Sequence, residues 1–213
     1  YGLSGGLAEV LIMLFGPLLG LPVPLQSGQI LWVNMLTHGL PGVAIGNEPA
    51  AADVFTRAPR APREQLLDGR TARRVAVLGT GIAIACTLAA TYARFADRPW
   101  QSVLFLSLAG CQLAAALALR PQGRRRGRNP LLVAAVAVNV VLALLAVTWQ
   151  PLLELLRTDP IAPRDLLPCL VAATAIAALA WLQTRLGIRA DAFTQPPDRR
   201  HPGRAATAGT HRA

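Results

Sequence analysis

One stretch near the start of the chain combines apolar residues with a polar cluster: Gln29-Ile-Leu-Trp-Val-Asn-Met-Leu-Thr-His-Gly-Leu-Pro41. Asn34, Thr37 and His38 are spaced so that they share one face of a helix. Pro41 has no N–H and cannot bond the Thr37 carbonyl four residues earlier. We therefore predict a helix broken at Gly39 and Pro41, with free backbone oxygens beside the polar side chains. A membrane tolerates such a break only where it is buried in protein or lines a wet cavity, and many transporters hold ions at breaks of this kind.

The composition indicates a membrane protein. The 213 residues are 53% hydrophobic and 15% charged, whereas soluble domains carry about 25% charged residues. The net charge is +10, and all 21 basic residues are arginine. These arginines lie in segments between apolar runs, which is typical of topology signals and argues against a nucleic-acid-binding surface. Because the chain opens at Tyr1 directly in apolar sequence, we expect a fragment of a longer protein.

Apolar runs divide the chain into six segments long enough to cross a bilayer, for which about 20 residues are needed. The predicted fold is therefore all-α, a polytopic membrane bundle of six transmembrane helices. The predicted parts are a first helix at 1–19 that is either whole or truncated, a second, broken helix at 27–46, a cytoplasmic loop at 47–74, four further helices within 75–184, and a disordered cytoplasmic tail at 187–213. The four further helices are expected at 75–93, 99–119, 129–153 and 166–184.

The arginines are distributed asymmetrically among the segments between these helices. Seventeen of the 21 lie in the 47–74 loop, the 120–128 loop and the segment after residue 184 that includes the tail, and four lie in the other connections. By the positive-inside rule the arginine-rich segments are cytoplasmic. The first helix is then expected to run outward from the cytoplasm, and the C-terminus to be cytoplasmic.

Polar residues within the predicted spans are the candidates for function. Glu9 is the only carboxylate inside a span, and a charge at the bilayer centre costs about 2.5–3.5 kcal/mol on insertion scales. Together with Asn34, Thr37 and His38 it predicts an ion site, with Glu9, Asn34 and His38 as metal ligands. The alternatives are a Glu9 that is interfacial, or protonated and hydrogen-bonded to a neighbour, and a histidine that serves packing alone. Gln112 also lies within a span, where an amide can instead bond across helices.

The three cysteines, Cys86, Cys111 and Cys169, all fall inside apolar runs. Their spacing matches no disulfide or metal-binding motif. We expect them to act as small buried hydrophobic residues.

Several long motifs resemble the membrane region of calcium-pump-like P-type ATPases. The first resembles the sixth membrane helix of that family: Leu25-Gln-Ser-Gly-Gln-Ile-Leu-Trp-Val-Asn-Met-Leu-Thr-His-Gly-Leu-Pro-Gly-Val-Ala-Ile-Gly-Asn-Glu-Pro49. The loop that follows that helix is similar to Asp53-Val-Phe-Thr-Arg-Ala-Pro-Arg-Ala-Pro-Arg-Glu-Gln-Leu-Leu67. The ninth helix and the loop beyond it resemble Asn129-Pro-Leu-Leu and Trp149-Gln-Pro-Leu-Leu-Glu-Leu-Leu156. The resemblance covers residues 1–184 and implies helices five to ten of a ten-helix pump.

The resemblance also implies a set of cation ligands. On the sixth helix, Asn34 and Thr37 match the family's Asn and Thr. Glu9 matches the Glu of the fifth helix, and Gln112 falls where an eighth-helix Glu or Gln contributes.

Two positions depart from the family pattern. Gly6 stands where the family has an Asn, and His38 replaces an Asp. Because Ca²⁺ prefers several oxygen ligands including carboxylates, these changes argue against calcium specificity. An imidazole suits softer divalent metals or can act as a titrating group.

The resemblance predicts a membrane-embedded ion pathway of a cation-transporting pump. The family's phosphorylation motif, Asp-Lys-Thr-Gly-Thr, needs a lysine, and this chain has none, so we expect no ATPase activity from the chain alone. ATP and Mg²⁺ would belong only to a full-length pump, and no cofactor is expected in this chain beyond the transported cation. The expected partners are the lipid bilayer of the cell membrane and an ATPase catalytic portion in cis or in trans, with no nucleic acid. The alternative is a non-catalytic remnant or an accessory bundle that packs on another subunit.

Overall fold

The computed structural model describes residues 1–47, 69–119 and 129–194, and all regular elements in these ranges are helical. The α-helices are α1 (Gly2–Phe15), α2 (Ser27–Trp32), α3 (Leu40–Gly46), α4 (Gly69–Phe95), α5 (Trp100–Ala118), α6 (Pro130–Leu145), α7 (Gln150–Leu156) and α8 (Leu166–Thr194). A π-helical segment, Val33–Gly39, joins α2 to α3, and short 3₁₀ turns follow α1 and precede α8. The all-α prediction is confirmed for this part of the chain.

The described helices supply three candidate membrane spans by length and composition. These are Gly69–Phe95, Trp100–Ala118 and Pro163–Leu186, and a fourth is present if α6 and α7 count as one bent span. With 14 residues, α1 is shorter than a span, because a rise of about 1.5 Å per residue gives it a length of about 21 Å. A multi-pass helical membrane protein is therefore supported, and the count of six spans stays a prediction.

Helix α5 lies at the centre of the bundle, packed between α4 and α8. The apolar 18-residue stretch of α5 is 72% buried, whereas the corresponding stretches of α4 and α8 are 39% and 28% buried. The outer helices instead expose large apolar side chains, such as Leu88 on α4 and Val171 on α8. A soluble domain seldom exposes so much apolar surface, whereas a lipid-facing surface requires it.

Glycine permits the close approach of α4 to α1. A Cβ placed at Gly79 would lie 2.8 Å from the Ser4 carbonyl oxygen and 2.9 Å from Leu7 Cδ2. Small residues allow helix backbones to approach in this way within membranes, where dispersion contacts hold helices together. Since α1 carries Glu9, this contact helps to position the candidate site relative to α4.

The predicted helix break at Gly39 and Pro41 takes a different form. Residues 27–46 are helical without interruption, and the π-helical segment Val33–Gly39 stands in place of a break. A π turn uses i→i+5 bonds, so one extra residue is inserted into the helix. Pro41 then falls in the first turn of α3, where its missing N–H is tolerated.

The predicted single helix at 129–153 is wrong. Helix α6 ends at Leu145, and α7 begins at Gln150 at an angle of 86° to it. Pro151 lies in the first turn of α7 and has no N–H for the carbonyl four residues before it. Thr158 Oγ1 donates to the Ala146 carbonyl at 2.6 Å, so this buried carbonyl at the end of α6 has a hydrogen-bond partner.

Two other predicted boundaries shift. Helix α4 begins at Gly69, so residues 69–74 are helical where we predicted loop, and α8 continues to Thr194, beyond the predicted start of the tail at 187. In both cases polar or arginine-containing sequence extends a helix past its apolar part. The rest of the predicted 47–74 loop from residue 48, the 120–128 loop and residues 195–213 lie outside the described residues.

We predict that Gly79→Ala destabilises the bundle. Alanine in a helix gains about 1 kcal/mol over glycine, but the new methyl would press on a backbone oxygen of α1 that no rotamer change can relieve. Overpacking of this kind costs about 1–3 kcal/mol, so the net effect should be a lower melting temperature in detergent.

Gly46→Ala is the matched control, because Gly46 is a helical glycine whose added Cβ meets nothing within 4 Å. It should leave the melting temperature unchanged or raise it. A Gly79→Ala chain as stable as the control would contradict the close packing of α1 against α4.

Candidate functional site

The carboxylate of Glu9 lies between three elements of the bundle. Glu9 is only 7% exposed on α1. Asn34 Nδ2, from the π-helical segment, donates to Glu9 Oε2 at 2.9 Å. Gln112 Nε2, from α5, donates to Glu9 Oε1 at 3.2 Å. A carboxylate among apolar helices needs such donors, because leaving it without partners is costly.

His38 lies beside the same carboxylate. Its Nδ1 is 3.3 Å from Asn34 Oδ1 and 3.9 Å from Glu9 Oε1. Its Nε2 is buried without a hydrogen-bond partner. The imidazole also packs edge-on against the ring of Tyr1, with the centroids 5.7 Å apart. The structure therefore brings a carboxylate, an imidazole and the amides of Asn34 and Gln112 into one cluster.

Thr37 joins this cluster through its backbone. Its carbonyl oxygen accepts a hydrogen bond of 2.7 Å from the Tyr1 hydroxyl, and the residue is buried. The sequence predicted that Pro41 would free this carbonyl, and the Tyr1 bond provides a partner outside the helix. The π-helical segment thus presents a main-chain oxygen to Tyr1, whose ring packs against His38.

A glycine makes room for the imidazole. A Cβ at Gly5 would lie 2.0 Å from His38 Nε2 and 3.1 Å from Gln112 Nε2. Gly6, the position singled out in the sequence, has nothing within 4 Å of its added Cβ. Sequence reasoning missed Gly5, although it precedes Glu9 by four residues and so shares its helical face. Tyr1 was missed as well, because no sequence pattern connects Tyr1 to a residue 36 positions later.

The ligand set of this cluster is mostly oxygen. The available atoms are the Glu9 carboxylate, amide oxygens, the Thr37 carbonyl and one imidazole nitrogen. Gln112 is fully buried and its Oε1 has no hydrogen-bond partner. Within the described ranges no group of three or more His, Cys, Asp or Glu side chains is present. The cluster therefore carries one formal negative charge when His38 is neutral, and the proposed metal set of Glu9, Asn34 and His38 stays a prediction.

We predict that Gly5→Ala displaces the His38 ring. A methyl group at this position would overlap Nε2, so the ring must rotate away from Asn34 and Glu9. In the isotope-labelled chain, the NMR signal of the His38 ring should move or broaden. His38 is one of three histidines in the chain. His38→Ala assigns that signal by removing it.

Gly6→Ala is the control for this change, since its Cβ enters open space. The packing described for Gly5 fails if both alanine variants leave the His38 signal where it is, or if both move it equally.

Comparison with known proteins shows what the chain is related to. Residues 22–186 match the family model described as "Cation transporting ATPase, C-terminus". The chain is 35% identical over 173 residues to a calcium-transporting ATPase of Bacillus subtilis (strain 168), which covers 78% of the chain and 19% of that relative. It is 39% identical over 85 residues to a calcium-transporting ATPase of Plasmodium falciparum (isolate K1 / Thailand), which covers 40% of the chain and 7% of that relative.

The family match includes most residues of the cluster. The alignments with the two relatives include only a small part of each relative. Asn34, Thr37, His38 and Gln112 fall within the matched residues, and Glu9 precedes them. The aligned regions amount to less than a fifth of the length of either relative. The helical fold and its apolar outer surface agree with the family match in indicating a membrane protein. The chain therefore belongs to the cation-transporting ATPases and represents a C-terminal membrane portion of a P-type pump.

Proposed function

We propose that this chain forms the ion pathway of a cation-transporting P-type ATPase and that the Glu9 cluster binds the transported cation. The ligands are Glu9, Asn34, Thr37, His38 and Gln112. The observation that carries the proposal is the Glu9 carboxylate, buried and bonded by amides of two other elements. An intramembrane carboxylate is costly to place in an apolar bundle and marks ion pathways in membrane proteins. Membership of the family supports the same reading.

The proposed arrangement has six spans, integral to the cell membrane, with a cytoplasmic C-terminus. The spans are the apolar segment 1–19, of which α1 is the main helical part, the helical run 27–46, α4, α5, the bent pair α6 and α7, and α8. The 20 residues of 27–46 rise about 30 Å, which matches the hydrocarbon thickness of a bilayer. The arginine asymmetry supports cytoplasmic positions for the 47–74 and 120–128 loops and for the tail.

Cation binding would exchange amide donors for amide acceptors around Glu9. In the described arrangement the N–H groups of Asn34 and Gln112 point at the carboxylate. A cation at the carboxylate would repel these donors and attract amide oxygens. Rotation of the two amides would therefore accompany binding, and the unpartnered Oε1 of Gln112 would gain a ligand role. The site would alternate between a self-bonded state and a cation-bound state.

We propose a monovalent or softer divalent cation as the substrate. The two relatives are named for calcium transport, but Ca²⁺ takes six to eight oxygen ligands that include carboxylates. The Glu9 cluster offers one carboxylate and places an imidazole 3.9 Å from it. One negative charge balances a monovalent cation, and an imidazole nitrogen is a ligand for softer divalent metals.

Energy for transport would come from a catalytic portion joined in cis or in trans. ATP hydrolysis with Mg²⁺ would take place there, and rigid-body movement of the membrane helices would expose the site to alternate sides. This chain has no lysine for the family's phosphorylation motif, so it is expected to contribute the pathway and not the hydrolysis.

We predict that Glu9→Gln and Asn34→Ala abolish cation binding by the chain in lipid nanodiscs. Glu9→Gln removes the only negative charge of the cluster, and Asn34→Ala removes the amide that bonds it. Binding of radioactive rubidium, manganese and calcium provides the measurement. Asn139→Ala is the matched control, because Asn139 is also a buried intramembrane amide but donates only to Ala135 of its own helix.

The control should bind cations as the parent chain does. The site assignment is refuted if Glu9→Gln binds as tightly as the parent, or if Asn139→Ala loses as much affinity as Asn34→Ala.

We predict that cation affinity falls with falling pH and that His38 causes the fall. The titratable groups described around His38 are Glu9, the Tyr1 phenol and the amino group of Tyr1. Protonation of His38 adds a positive charge beside Glu9 and cancels the charge of the cluster. Binding should be strong where the imidazole is neutral and should weaken as falling pH protonates it.

His38→Gln should remove this part of the pH dependence while keeping a polar side chain. His38→Asp should add a second carboxylate and increase calcium binding relative to rubidium. A pH profile that is identical in the parent and in His38→Gln would exclude His38 as the titrating group.

A further inference from the structure

Two cysteines from neighbouring helices lie side by side in the interior of the bundle. Cys86 on α4 and Cys111 on α5 are both fully buried, and the Cys86 thiol donates to Cys111 Sγ over 3.9 Å. Both are free thiols. Cys169 on α8 is engaged with the main chain instead, 3.4 Å from the Asp165 carbonyl oxygen and 3.7 Å from that of Val103. The first two cysteines therefore form a dithiol pair.

The chemistry available to this pair is that of a dithiol. A disulfide has an S–S bond of about 2.05 Å, so the two sulfurs need to approach by about 2 Å. Rotation about the Cα–Cβ bond of each cysteine changes the distance between the two sulfurs. A zinc site would need about four ligands, and among the described residues no third His, Cys, Asp or Glu completes a metal-binding group.

We propose that Cys86 and Cys111 are a redox modification site, at which a membrane-permeant one-electron oxidant forms a disulfide between α4 and α5. Two S–H bonds break and one S–S bond forms. The two protons pass to water, and the two electrons reduce two equivalents of the oxidant. An apolar Cu(II)–phenanthroline complex supplies this chemistry, because it enters the hydrocarbon region and is reduced to Cu(I).

The position of the pair links its oxidation to the Glu9 cluster, an inference that rests on the proposed function. Cys111 immediately precedes Gln112, which bonds Glu9 from α5. Helix α4 contacts α1, which carries Glu9, through Gly79. A covalent bond between α4 and α5 would therefore restrict movement of Gln112 relative to Glu9. The oxidised chain should bind cations more weakly, because Gln112 is then less free to turn its oxygen toward the ion.

The test counts free thiols before and after oxidation of the full chain in nanodiscs. After treatment with Cu(II)–phenanthroline and removal of the copper, the chain is denatured without reductant and alkylated with N-ethylmaleimide. The parent has three cysteines, so the adducts in the intact mass should fall from three to one, with the chain still monomeric on a non-reducing gel. Cys169→Ser should fall from two to none.

Single substitutions within the pair serve as controls. Cys86→Ser, Cys86→Ala and Cys111→Ser should each keep two adducts with and without oxidant. The proposal is overturned if the oxidised parent retains three adducts, or if the loss persists without Cys86.

A second measurement separates this inference from the proposed function. Rubidium, manganese and calcium binding is compared in the reduced and oxidised parent, with Cys86→Ser as the control. Oxidation should weaken binding about fivefold or more, the lower end of typical coupling between sites, and only in the parent. A disulfide that forms without changing affinity overturns the link to the Glu9 cluster. A reduced parent that binds no cation refutes the proposed function and leaves the thiol counts as the test of the disulfide.

Discussion

The buried carboxylate of Glu9 is the constraint on which the interior of this bundle depends. A negative charge among apolar helices requires hydrogen-bond donors, and the helix that carries it offers none at that depth. The donors come from Asn34 and Gln112, which lie far from Glu9 along the chain. Satisfying one side chain therefore fixes the relative positions of α1, the π-helical segment and α5. The same three elements form the candidate ion site.

Close approach of the helices makes this geometry attainable. Gly79 lets α4 contact the backbone of α1, and Gly5 leaves space for the imidazole of His38. Within a membrane the lipid is as apolar as the side chains, so helix association relies on dispersion contacts and on hydrogen bonds between helices. Small residues where helices cross and a few polar bonds in the interior act together here. A larger residue at either glycine would separate groups that must bond.

Proline decides where the helices deviate from regular α geometry. Pro41 is accommodated by the π-helical segment, which keeps residues 27–46 continuous and turns the Thr37 carbonyl toward Tyr1. Pro151 instead ends one helix and begins another at 86°. The surroundings explain the difference. The carbonyl freed by the first proline bonds Tyr1, whereas the residues before the second form a turn that Thr158, from beyond α7, bonds at the Ala146 carbonyl.

Much of the arrangement could be read from the residues in order. Apolar runs predicted a helical membrane protein, motif resemblance predicted its family, and the spacing of Asn34, Thr37 and His38 predicted a shared face. These signals are local, because helix formation and membrane preference depend on composition and on neighbours within a few turns. Tertiary structure alone decided which residues meet across helices. The space that Gly5 leaves for His38, the Tyr1 bond to Thr37 and the contact of Cys86 with Cys111 all join residues distant in sequence. Such contacts depend on the rotation and depth of each helix in the bundle, and interhelical packing sets both.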